Sequence, residues 1–159
     1  MIRKAAHLIT LLALLSALVA CGTAESSLTL AFGDTPLVDP NTAAESELRN
    51  VPGLNDVAIS AIISGRPFAT PTELHAAIGL DLNESDQSLV YGALFIKVGL
   101  NTGAEDDYKL IPSSMSARKL AHEFEEYRPY ESIDQFRREM AKYVSDEEVK
   151  HLVRYVTLD

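Results

Sequence analysis

Four groups of residues have chemistry to offer, and spacing decides what each is placed to do. Cys21 is the only cysteine, so no intramolecular disulfide or thiolate-rich metal site can form. His75, His122 and His151 are 47 and 29 residues apart, without the i, i+4 pairing that puts two imidazoles on one helix face. No metal site and no cofactor are expected. Ser113, Ser114 and Ser116 lack the flanking glycines of a nucleophile elbow and read as turn and helix-capping residues. No catalytic residue emerges, and the chain is not expected to be an enzyme. The fourth group is backbone. The stretch "NVPGLNDVAISAIISGRPF", residues 50–68, reads as a helix end, a Pro-Gly hairpin and a second helix. Its N–H groups can meet a phosphate or simply join two helices. Gly53 in that turn is expected at positive φ, which a β-branched residue cannot enter cheaply.

Cys21 has a chemistry of its own. Arg3 and Lys4 precede the apolar run "LITLLALLSALVA", too short for a comfortable membrane span, which closes on Leu18-Val19-Ala20-Cys21. An apolar-small-small-Cys sequence there matches the bacterial lipobox. Residues 1–20 are therefore expected to be a lipoprotein signal peptide and Cys21 the lipidated N-terminus; the alternatives are an uncleaved anchor or an ordinary signal with an incidental cysteine. Gly22, where an aspartate would favour retention at the inner membrane by resemblance to known lipoproteins, leans toward the outer membrane, with the protein facing the periplasm or the cell surface. Removing residues 1–20 leaves 12 basic residues against 23 acidic ones, a net charge of −11, which repels polyanions at long range.

These groups must be positioned by the rest of the chain, which is organised by an internal repeat. "NTAAESELRNVP" at 41–52 aligns with "NTGAEDDYKLIP" at 101–112, and "RPFATPTEL" from Arg66 with "RPYESIDQF" from Arg128. The first offset is 60 and the second 62, so the later copy gains two residues between them. Helix starts recur at matched places: Thr42 with Glu45 and Thr102 with Glu105, Thr70 with Glu73 and Ser132 with Gln135, Asn83 with Asp86 and Ser145 with Glu148. Residues 21–36 read as a lipidated flexible tether, 37–99 as a first domain of four short helices and 100–159 as a second. Val149, Leu152, Val153 and Val156 form an apolar stripe at helical spacing, and Leu89, Val90, Ala93 and Ile96 a looser one. Phe68, Phe124, Tyr127, Tyr130, Phe136 and Tyr155 are expected in the core rather than stacked on bases. The fold class is all-α.

The segment "DPNTAAESELRNVPGLNDVAISAIISGRPFATPTELHAAIGL" resembles the helix-hairpin-helix domain of ComEA-like proteins, periplasmic DNA receptors of bacterial competence. The extrinsic photosystem II subunit U family is similar in fold yet serves as a structural protein subunit, so fold alone does not decide function. The resemblance covers residues 38–98 well and the second copy more loosely, and implies two tandem helix-hairpin-helix domains. In the DNA-binding members, hairpin N–H groups meet phosphate. By position the candidate hairpin residues here are Gly53, Leu54 and Asn55 in the first turn, and Gly79 and Leu80 in the second. Both depart from the family pattern, because Asn55 and Asp81 stand where a second glycine is expected. In the second copy Pro112-Ser113-Ser114 and Met140-Ala141-Lys142 replace the two glycine turns.

Charge then separates two readings. Residues 37–99 hold Arg49, Arg66 and Lys97 against eight acidic residues, a net of −5, whereas binding a nucleic-acid backbone draws its affinity from cations that neutralise phosphates. Arg118, Lys119, Arg137 and Arg138 lie near the second copy's turns, but Glu123, Glu125, Glu126, Glu131 and Glu139 interleave with them, which predicts a solvated, salt-bridged face. The expected function is therefore a non-catalytic binding or scaffolding module held to a membrane by its lipid and engaging a protein partner. The alternative is a DNA-binding lipoprotein of the competence-receptor type.

Overall fold

Side chains that satisfy the exposed N–H groups of a first turn set where these helices begin. The computed structural model describes residues 35–159, so Cys21 and the whole apolar run lie outside the described residues. The first four helices are α1 (Glu45–Leu48), α2 (Asp56–Gly65), α3 (Pro71–Ile78), continued by a 3₁₀ turn (Gly79–Asp81), and α4 (Glu84–Ala93). A two-residue strand β1 (Val98–Gly99) leads into α5 (Glu105–Tyr108), α6 (Ala117–Glu126), α7 (Ile133–Met140) and α8 (Asp146–Val153), and β2 (Val156–Thr157) follows. The described chain is thus mostly helical, of the all-α class.

Thr70, Ser132, Asn83 and Ser145 each accept the N–H of the third helical residue through their side chains, as the sequence leads one to expect. Thr42 and Thr102 do not. Their helices start at Glu45 and Glu105 behind the N-caps Ala44 and Ala104, and Glu47 accepts the Ala44 N–H at 2.7 Å. The threonines turn elsewhere: Thr42 Oγ1 donates to Asp39 Oδ2 at 3.1 Å and Thr102 Oγ1 to the Asp159 carboxylate.

What displaces them is a clasp that appears twice. Asn41 Nδ2 donates to Phe68 O at 2.9 Å and Asn41 Oδ1 accepts from Phe68 N at 2.8 Å. Asn101 does the same to Tyr130, at 3.1 and 2.7 Å. Beside each asparagine an arginine reaches back across the same gap. Arg66 donates to Pro40 O and Ala43 O, at 2.5 and 2.8 Å, and Arg128 to Leu100 O and Gly103 O, at 2.8 and 2.6 Å. The Asn-Thr and Arg-Pro-aromatic sequences are therefore two halves of one device that ties the entry to each first helix to the approach to each third helix.

Strand pairing repeats as well. Val38 bridges Leu94 in parallel, and 60 to 62 residues later Val98 pairs with Val156 and Gly99 with Thr157. These pairings redirect the two apolar stripes: α4 ends at Ala93, before Ile96, while Leu89 is exposed, and Val156 belongs to β2 rather than α8. The buried side chains form one cluster that runs through both repeats. Phe95 and Tyr155 meet edge to face at 5.0 Å, Tyr155 Oη donates to Tyr91 O at 3.1 Å, and Thr72 N and Oγ1 both donate to the buried Asp107 carboxylate at 3.1 and 2.6 Å. Phe68, Phe124, Tyr130, Phe136 and Tyr155 are all in this core and Tyr127 lies at its edge. Among the described residues no helix is long and apolar enough to cross a membrane.

Candidate functional site

The first hairpin is built on Gly53, whose φ is +80° and whose α-carbon lies against α4. A Cβ there would stand 3.0 Å from Asp86 O, so both the turn and the approach of α4 require glycine. Leu54 N closes the turn on Val51 O at 3.2 Å. Leu54 is half-buried against the core. Asn55 caps α2 by accepting from Ala58 N at 2.9 Å, and its Nδ2 donates to Asp81 O at 3.0 Å. That second bond joins the two candidate hairpins of the first repeat.

Its electrostatics are acidic. Arg49, just ahead of the first hairpin in the chain, places Nη1 2.6 Å from Asp56 and Nη2 2.7 Å from Glu45, so its charge is already met by carboxylates. Gly79 has an ordinary helical φ of −64° and is buried under the His75 ring. Its carbonyl accepts from Gln87 Nε2 at 2.9 Å. Leu80 beside it is 99% exposed.

In the second repeat the corresponding turn is filled from within. Glu148 on α8, only 2% exposed, accepts from Ser113 Oγ at 2.6 Å, Ser114 N at 2.7 Å and Ser114 Oγ at 2.5 Å. Three donors converging on one carboxylate is an anion-binding arrangement whose anion belongs to the chain. The buried His151 ring supports the same turn, with Nε2 3.0 Å from Pro112 O. Burial is the main cause that holds this imidazole below its usual pKa, with the nearby Arg154 charge acting in the same direction.

The expected face is solvated but not salt-bridged: Arg118, Lys119, Arg137 and Arg138 are all exposed, and the ion pairs here belong to other cations. Arg128 pairs with Glu125, and Lys142 with Glu139. Arg118, Lys119, Arg137 and Arg138 form no ion pair with the interleaved glutamates. Glu123 is instead turned inward and buried, and Lys119 lies 5.4 Å from the Tyr143 ring centroid. Arg137 and Arg138 line a cleft of about 330 Å³ with Ala141, Asp146, Val149 and Lys150. Ser116 caps α6 through Lys119 N, as a capping residue should. No group of three or more His, Cys, Asp and Glu residues is placed to hold a metal among the described residues.

Sequence reasoning singled out the Asn-Thr and Arg-Pro motifs as repeat markers but missed that they bond to each other. The signal was their joint recurrence at nearly one offset. It also missed the Glu148 latch, whose signal is a longer acid at the place Asp86 holds in the first copy. Compared with family models, with curated proteins and with solved structures, the chain matches none.

Proposed function

We propose that this chain is an exported lipoprotein, anchored through Cys21, whose two ComEA-like helix-hairpin-helix repeats serve as a non-catalytic protein-binding or scaffolding module. One observation carries the choice of protein over DNA: the Ser113-Ser114 donors that would meet a phosphate already hold the buried Glu148 carboxylate. The same logic applies at the first hairpin, where Asp56 and Glu45 take up Arg49. A net charge of −5 over residues 37–99 opposes a polyanion further. The fully exposed Leu80 and the 62% exposed Val57 favour a partner that is at least partly apolar.

In vivo crosslinking of the full chain, followed by identification of what co-purifies, tests the reading. Recovery of a defined protein partner without nucleic acid is the expected result; recovery of DNA alone would replace it with the competence-receptor reading. The anchor has its own test. Cys21→Ser should release the protein from membranes, because the several acyl chains of a processed lipoprotein hold far more firmly than one.

A further inference from the structure

Two features of the surface remain without a role inside the monomer. The first is the acidic, apolar end of the first repeat, where Leu80 is 99% exposed and Asp81 and Glu84 stand beside it. The second is the cleft between α7 and α8, where the exposed Arg137, Arg138 and Lys150 surround a floor made by Val149, with Asp146 the one acid in the lining. None of these three cations has an ion-pair partner among the described residues. In a chain this acidic, three like charges held around one opening repel one another and are stabilised by an anion between them.

Comparison of the two repeats shows that the cleft is a departure from their shared plan. Sixty-two residues earlier, its lining positions are His75, Ala76, Gly79, Glu84, Gln87 and Ser88. There the His75 ring lies over Gly79, and Gln87 Nε2 is bonded to Gly79 O and Leu82 O at 2.9 and 3.0 Å, so side chains of the same repeat occupy the position. The second copy replaces His75 with Arg137 and Gln87 with Val149, which removes those internal bonds, leaves an apolar floor and adds charge. The first copy meanwhile carries an exposed leucine followed by Asp81 and Glu84 at its own turn. Each repeat thus displays what the other's turn lacks.

We propose that the Leu80 end of one molecule docks into the α7–α8 cleft of a second copy, the leucine against Val149 and Ala141 and the Asp81 and Glu84 carboxylates against Arg137, Arg138 and Lys150. The contact joins unlike surfaces, so it either closes into a dimer or small ring in which every cleft is filled, or grows head to tail. This inference rests on the protein-binding reading and names one partner for it.

Sedimentation equilibrium of the full chain in nonionic detergent tests it over roughly 1 to 100 μM, the range of transient protein contacts. The wild type should self-associate, and added salt should weaken it. Leu80→Ser and, separately, Arg137→Glu/Arg138→Glu should each weaken association by about tenfold or more, as loss of one buried leucine or of paired charge implies. All these side chains are exposed, so the variants should keep the wild-type circular dichroism. Asp81→Lys/Glu84→Lys should likewise weaken self-association, yet should associate when mixed with Arg137→Glu/Arg138→Glu. A monomeric wild type, or association unaffected by Leu80→Ser, overturns the contact. Neither result touches the protein-binding reading, which fails instead if crosslinking returns only DNA.

Discussion

Glu148 is held by three donors, and removing its carboxylate takes their shared partner from Ser113 Oγ, Ser114 N and Ser114 Oγ at once. Glu148→Ala should destabilise the protein by about 3 kcal/mol, because bonds to a charged acceptor are worth more than neutral ones and the Ser114 N–H has no second partner. Thermal or urea melts check this; a loss below about 1 kcal/mol would mean the turn is held by its backbone alone. His151 adds a pH dependence. Its folded pKa lies below the usual 6.5 mainly because the ring is buried. The unfolded chain therefore binds a proton near pH 6.5 that the folded chain refuses until lower pH. Stability from this group is complete above that range and declines as the pH falls through it. The melting temperature should drop between pH 7.5 and pH 5.5, and His151→Gln should show a smaller drop; equal slopes would assign the effect to other groups.

Short helices of 4 to 10 residues do not hold themselves, and in this chain the Asn–Arg clasps hold them. Arg128 is the more heavily used of the pair, adding Tyr108 Oη at 2.5 Å to its two carbonyls. A lysine offers one point charge in place of a planar fork and cannot serve acceptors on both sides. Arg128→Lys should therefore cost about 2 kcal/mol, measurable by denaturant melts, although the charge is kept. No loss on this substitution would show that charge alone suffices. At this scale much was legible beforehand. Four side-chain caps stood in the sequence as Ser, Thr or Asn three residues ahead of an acid or amide, and the repeat itself fixed eight helices. The false caps at Thr42 and Thr102 show the limit. A local pattern predicts a local bond, but Asn41 and Asn101 pull those segments toward partners 27 and 29 residues away, and nothing local encodes that.

Across the whole molecule the two repeats are one structure rather than two beads. Tyr91, Phe95 and Tyr155 pack across the junction, and the buried Asp107 carboxylate is satisfied by Thr72 from the other repeat. Burial pushes the Tyr91 hydroxyl pKa up to about 12, consistent with an interior position. The first repeat expressed alone as residues 35–99 would expose Tyr91 and Phe95 to water. It should lack a cooperative melt, whereas the full chain should unfold in a single transition. An independently folded fragment with the full chain's stability would contradict the shared core. The sequence showed the duplication because its markers are contiguous words. It hid the shared core and the cleft, since both depend on which non-adjacent residues meet once the repeats dock.

On the proposed reading these hairpins do not grip nucleic acid. The most direct measurement is fluorescence anisotropy of labelled duplex DNA titrated with the full chain across a salt series. With the Ser113-Ser114 turn holding Glu148 and Arg49 paired to Asp56 and Glu45, the chain should show no binding tighter than roughly millimolar at about 0.15 M salt. Micromolar binding that weakens steeply as salt rises would contradict the account.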